Sequence, residues 1–219
     1  MIPVAPPSPP DARKAHELVK SAARLRAIAA NGLLFATDPY DLERYTEARA
    51  LAESILAAAA DVDLDAAHEM FEEPGYVTPK VDVRGAVFDA GGRLLLVRER
   101  TDGGWSLPGG WSETHESPRE AVEREVLEEA CVRVRATRLL AVVDRSRHPH
   151  TPSPNSVYKL VFGCELLEEL PFDDSGETLE ARYFAFDDLP ELSLRRVAPS
   201  WIARLEPYAQ DPDLPPYFD

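Results

Sequence analysis

The chain is poor in the residues that staple or metallate small folds. Cys131 and Cys164 are its two cysteines in 219 residues, which excludes a disulfide framework and a structural zinc site and leaves both thiols as small buried side chains. No apolar run is long enough to span a bilayer and no charged-then-apolar leader opens the sequence, so a cytoplasmic protein without a membrane partner is expected. Positive charge is also scarce. Twenty-four Lys and Arg face 39 Asp and Glu, a net charge of -15, and such a surface disfavours non-specific binding to nucleic acid or to an anionic membrane. The length suits one large domain or two smaller ones.

What is present changes in kind near residue 75. After a Pro-rich start, residues 11–32 place Asp11 at a capping position, Leu18, Ala22, Leu25 and Ile28 on one face, and Gly32 as a stop. A second helix is expected over residues 41–60, through Leu51, Ile55 and Leu56, and a third over 63–71, closed by Glu72, Glu73, Pro74 and Gly75. Three such helices are too small to bury their apolar faces without each other or a partner. Residues 1–75 are therefore expected to form an N-terminal helical domain that mediates homodimerisation. In residues 76–219, β-rich segments fall at 81–88, 94–97, 135–143, 157–166 and 180–186, with a closing helix over 197–208.

Between the strands lies the segment that carries chemistry. Ser117 suits an N-cap, Pro118 the first helical position, and Glu120 completes a capping box. Ala121, Val122, Val126, Leu127 and Ala130 share one side of the predicted helix. Glu125, Glu128 and Glu129 crowd its C-terminal end, where the macrodipole is already negative. The i,i+3 and i,i+4 pairs among them each cost about 0.2–0.5 kcal/mol. A solvated acidic face is the bland alternative. The clustering instead predicts a missing cation, and a hard divalent ion such as Mg²⁺ takes carboxylates, waters and phosphate oxygens together.

Gly110, Glu116, Arg124, Glu125, Val126, Glu128, Glu129 and Val132 stand in register with the Nudix hydrolase signature, so the chain resembles that family. One position departs, because Cys131 stands where the signature has a glycine, and this puts the helix C-cap in doubt. The resemblance implies an α/β fold, the Nudix α/β/α sandwich with a mixed sheet. It also implies hydrolysis of a nucleoside diphosphate linked to another moiety X, by attack of water on a pyrophosphate phosphorus. Glu125, Glu128 and Glu129 would bind Mg²⁺ or Mn²⁺, with the Gly109 carbonyl and with Glu116, unless Glu116 merely shapes its loop. Arg124 would orient Glu125 or form a surface salt bridge. Glu125 or Glu128 would take the proton from water, or a glutamate outside the signature would do so, for which Glu177 and Glu180 are the candidates.

Segments outside the signature resemble bacterial Nudix enzymes acting on X-linked nucleoside diphosphates, including CDP-choline and ADP-ribose pyrophosphatases. By that resemblance the loop and strand carrying Asp144, Arg145, His148, His150, Tyr158 and Lys159 would sit near the cleft and contact substrate. For His148 and His150 exposed imidazoles are an equal alternative, and for Arg145 and Lys159 surface solvation is. Trp105 and Trp111 either stack on a base or pack in the core, the latter being favoured for Trp105. Two other functions compete, a metabolite-sensing transcriptional regulator and an RNA-processing hydrolase. The intact acidic signature counts against the first and the net charge against the second.

Overall fold

Helix pairing in the N-terminal part depends on small residues. In the computed structural model, which describes residues 9–61, 63–71, 75–151, 153–173, 176–211 and 213–219, α1 (Pro9–Phe35), α2 (Pro39–Ala60) and α3 (Leu64–Phe71) enclose Val19, Ala22, Ala52, Leu56 and Ala67. Asp38 starts α2 by accepting the N–H groups of Tyr40 and Asp41 at 2.9 and 3.2 Å. α1 begins ahead of Asp11 and runs past Gly32, correcting the expected stop. A Cβ at Gly32 would lie 2.5 Å from the Tyr45 ring, so this glycine admits α2 rather than ending α1. Glu72, Glu73 and Pro74 fall outside the described residues. The chain divides into two compact units, Met1–Pro79 with Thr151–Ser156, and Lys80–His150 with Val157–Asp219. No helix among the described residues is long and apolar enough to cross a membrane.

The second unit is the α/β one. β1 (Lys80–Val87), β2 (Leu94–Glu99), β3 (Trp105–Ser106), α4 (Pro118–Ala130), β4 (Val132–Asp144), β5 (Val157–Glu169), β6 (Thr178–Phe184), α5 (Pro199–Ile202), α6 (Glu206–Gln210) and β7 (Tyr217–Phe218) follow in order. A mixed four-stranded sheet has the order β1-β5-β4-β7, with β1 parallel to β5, β4 antiparallel to β5 and β7 parallel to β4. A smaller antiparallel sheet has the order β3-β2-β6. Alternation along the strands feeds two cores. Val83, Val87, Leu95 and Val97 pack on Ala121, Val122 and Val126 of α4. Ala86, Leu94, Leu96 and Val161 pack on Trp201, Ile202 and Leu205. That is the expected α/β/α layering.

The expected closing helix is broken into α5, a 3-10 turn at Ala203–Leu205 and α6, because Pro207 lacks the N–H a continuous helix needs there. The C-cap in doubt is filled by Cys131 itself, at φ 55° and ψ 36°, with its N–H donating to Leu127 O at 3.0 Å. A side chain in this left-handed conformation costs about 1–2 kcal/mol, of which glycine would return part as chain entropy of about 0.5–1 kcal/mol. Cys131→Gly is thus expected to raise stability by about 0.5–1 kcal/mol. Thermal unfolding that starts earlier in the variant would show that the Sγ contact to the Asp173 N–H, 3.3 Å long, outweighs the strain.

Candidate active site

Close packing brings α4 onto β1. A Cβ at Gly85 would sit 2.4 Å from Val126 Cγ2, so only glycine lets helix and strand approach this far. Beside β1 runs the stretch Pro108–Gly110, whose flanking carbonyls accept the N–H groups of Gly85 and Val83 at 2.9 and 2.8 Å. Gly109 has φ +144°, and a Cβ there would fall 2.0 Å from Val83 O. This conformation turns the Gly109 N–H to Glu129 Oε2, 2.7 Å away. A Cβ at Gly110 would crowd both Glu125 carboxylate oxygens at 2.8 Å. The two glycines thus form the wall that the α4 glutamates face.

Arg124 offsets part of the carboxylate crowding on and beside α4. Its guanidinium donates to Glu116 at 2.9 and 3.1 Å, to Glu125 Oε1 at 3.0 Å and to Glu128 Oε2 at 3.0 Å. Hydrogen bonds from Arg124 and from the Glu113 N–H lower the Glu116 pKa. Glu125 and Glu129 are undercompensated. Burial raises the pKa of Glu125 against the pull of Arg124, and it lifts Glu129, 6% exposed, to about 7. Among the described residues no three His, Cys, Asp or Glu side chains already close on one point. The donors are nonetheless carboxylate oxygens short of positive charge, the kind that suits a hard divalent cation, and Glu128, its side chain 57% exposed, is held by Arg124 at the solvent side.

Beneath this wall lies a charged network inside the protein. Arg84, fully buried, donates through Nε and Nη2 to both Asp82 oxygens at 2.8 Å, and through Nη1 to Leu107 O at 2.9 Å. Asp82 pairs with Lys159 in the β1–β5 register and accepts its ammonium at 3.0 Å. Burial opposes the Asp82 charge, but Arg84 and Lys159 overcome it and hold the carboxyl below its ordinary range. Burial lowers Lys159 to about 7, with Arg84 and Arg145 adding to the effect. A second buried acid beside this network, Glu99, is 1% exposed and takes a 2.7 Å bond from Ser106 Oγ and a 3.2 Å bond from Arg196 Nε.

The residues expected to contact substrate lie in differing surroundings. Lys159, 2% exposed, is a buried partner of Asp82 and not a solvated surface residue. His150 is neither exposed nor available. Its Nδ1 meets Leu194 O at 3.0 Å, its Nε2 accepts the Trp201 indole N–H at 3.3 Å, and burial drives its pKa to about 3, so it stays neutral. His148 is committed to Ser200 Oγ and to Asp219, at 2.8 and 3.0 Å. Tyr158 is exposed, and by strand alternation it faces away from Lys159. Arg145, half-buried at the end of β4, is charged against the cost of burial, with Asp82 favouring its cationic form. Glu177 is exposed, and Glu180 lies 3.5 Å from Arg182. Trp105 is a core residue, edge-on to Phe184 at 4.7 Å, whereas Trp111 is exposed beside Asp82.

Known proteins share this arrangement of chain. The family profile described as NUDIX domain matches residues 78–205, and one described as UDP-X-like, N-terminal oligomerisation domain matches residues 16–71. YjhB of Bacillus subtilis (strain 168), provisionally named an ADP-ribose pyrophosphatase, is 41% identical over 206 residues, which span 92% of this chain and 96% of that protein. The crystal structure of a UDP-X diphosphatase matches with a TM-score of 0.60 and 34% identity, covering 94% of this chain and 99% of its own. An ADP-ribose pyrophosphatase from Streptococcus suis 89-1591 matches with a TM-score of 0.58 and 35% identity, covering 65% of this chain and 100% of its own.

Proposed function

The chain belongs to the NUDIX family and is a hydrolase, and from that premise we propose that it cleaves the pyrophosphate bond of a nucleoside diphosphate linked to a second moiety, releasing a nucleoside monophosphate and a phosphorylated X group. The observation that carries this reading is the pair of undercompensated carboxylates on α4, Glu125 and Glu129, facing Gly109–Gly110, with Glu128 beside them on Arg124. Glu125, Glu128 and Glu129 would hold Mg²⁺ or Mn²⁺, with Glu116 and the Gly109 carbonyl able to add donors. When bound, the ion supplies neutralisation of the diphosphate and a more acidic water. Arg124 fixes Glu116 and Glu125 and must release Glu128, whose exposed carboxylate is the candidate to take the proton from the attacking water.

Arg145 is the remaining candidate to grip a phosphate oxygen, since Lys159 is tied to Asp82. ADP-ribose and UDP-linked X groups are the first substrates to examine, given what the relatives are named for. CDP-choline is the third. Product analysis over these three, NADH, diadenosine polyphosphates and nucleoside triphosphates, with Mg²⁺ and Mn²⁺, tests the reading. Nucleoside monophosphate from one of the diphosphate-linked compounds supports it, and release of phosphate or pyrophosphate from triphosphates alone would overturn it. The N-terminal helices we assign to homodimerisation in the cytoplasm, supported by exposed Leu18, Ile28, Leu34, Phe35 and Leu51 and by the oligomerisation profile over residues 16–71. A monomer in sedimentation at micromolar concentration would refute the dimer.

A further inference from the structure

The turn that carries Arg145 is fastened from far along the chain. β7 pairs Tyr217 with Ala141 and Phe218 with Val142, and the Asp219 N–H then donates to Val142 O at 3.3 Å. This strand pairing brings the Asp219 carboxylate over the end of β4. Its Oδ2 accepts the Asp144 N–H at 2.8 Å. Both oxygens approach His148 Nε2, at 3.0 and 3.2 Å, and the Tyr217 hydroxyl donates to Oδ1. Asp144 and His148 are the two ends of the 3-10 turn Arg145–Arg147. Within the turn, Asp144 Oδ1 accepts the Ser146 N–H at 2.9 Å and the His148 N–H donates to Arg145 O at 3.3 Å. Asp219 thus anchors the N-terminal and C-terminal ends of the turn at once, with its side chain 9% exposed.

Arg145 leaves β4 one residue beyond Asp144, next to the cross-strand row Val143, Lys159 and Asp82. A long guanidinium side chain grips a phosphate well only if its backbone origin is fixed, because ordering it on binding otherwise consumes affinity. We propose that Asp219 is a positioning residue for substrate binding: by clamping both ends of the Arg145 turn it sets where the Arg145 guanidinium meets the substrate diphosphate. This rests on the reading of Arg145 as a phosphate contact given above.

The test uses the full chain with Asp219→Ala, Asp219→Asn, Arg145→Ala and the Asp219→Ala/Arg145→Ala pair, assayed on ADP-ribose with Mg²⁺, alongside amide hydrogen exchange of the substrate-free proteins. Asp219→Ala is expected to raise KM about tenfold with little change in kcat, as loss of uniform substrate binding predicts. Asn keeps one acceptor and should raise KM less. Exchange at residues 145–148 should quicken, the Mg²⁺ titration should not move, and Asp219→Ala should add nothing to Arg145→Ala, because both remove the same grip. Unchanged exchange, an unchanged KM in Asp219→Ala, or additive effects in the pair would each overturn the proposal. Wild-type KM in Arg145→Ala alone would overturn the phosphate-contact reading, visibly in that single variant, and this proposal with it.

Discussion

Glu129→Gln is expected to lower turnover by about 10³-fold and, at the same time, to stabilise the metal-free protein at pH 8. The first effect follows from losing a carboxylate that would hold the ion, since metal assistance contributes several kcal/mol to the transition state and each 1.36 kcal/mol is about tenfold. The second follows from burial. Glu129 titrates near 7 in the fold against an ordinary 4.5, so between those values the folded state holds more protons than the unfolded chain and stability falls as pH rises. The cost is complete above pH 7 and amounts to at most about 3 kcal/mol. Glutamine keeps an acceptor for the Gly109 N–H but carries no charge, so the variant gains over wild type at pH 8 and not at pH 4. Mg²⁺ binding to the wild type at pH 6 should release a proton that Glu129→Gln does not release. Wild-type kcat at limiting Mg²⁺ would remove Glu129 from the metal site, and a lower Tm at pH 8 would refute the burial argument.

Legibility in the sequence followed the range of the interactions. The start of α4 could be read because every partner is within three residues: Ser117 Oγ accepts the Glu120 N–H at 3.3 Å and Glu120 Oε2 accepts the Ser117 N–H at 2.8 Å. The left-handed cap at Cys131 is where a glycine would be looked for, and the backbone takes that conformation regardless of the side chain. Asp82 and Arg84 alternate with Val81 and Val83, a pattern that ordinarily marks a strand with one wet face. Here that face is closed by Leu107, Lys159 and Pro108–Gly110, which only the fold brings there. His148 and His150 share the lesson. Their partners Ser200, Asp219, Leu194 and Trp201 lie 44 to 71 residues away in sequence, so a Pro-rich loop with two imidazoles gave no sign that both rings are spent on holding the chain.

The Asp82–Arg84–Lys159 network yields the largest stability prediction. Arg84→Met fills similar volume but leaves the buried Asp82 carboxylate with Lys159 alone and frees Leu107 O. Removing one partner of a buried ion pair costs about 3–5 kcal/mol, and at roughly 2–4 °C per kcal/mol for a chain of this size the Tm should fall by about 10 °C. Lys159 gives the network a pH signature. Its pKa is lowered to about 7 from 10.5, so between those values the unfolded chain holds more protons and this group makes the fold steadily more stable as pH rises. Arg84 is one cause of that lowering. With Arg84 gone, Lys159 should lose the part of the lowering that Arg84 causes while burial keeps the rest, and the rise in stability between pH 7 and 10 should become less steep. Turnover should drop too, because Leu107 O is the point through which Arg84 steadies the stretch leading into Gly109–Gly110. Thermal unfolding from pH 6 to 10 decides the matter: a Tm within 2 °C of wild type, or an unaltered slope above pH 7, would mean that Arg84 and Lys159 do not share Asp82 as one electrostatic unit.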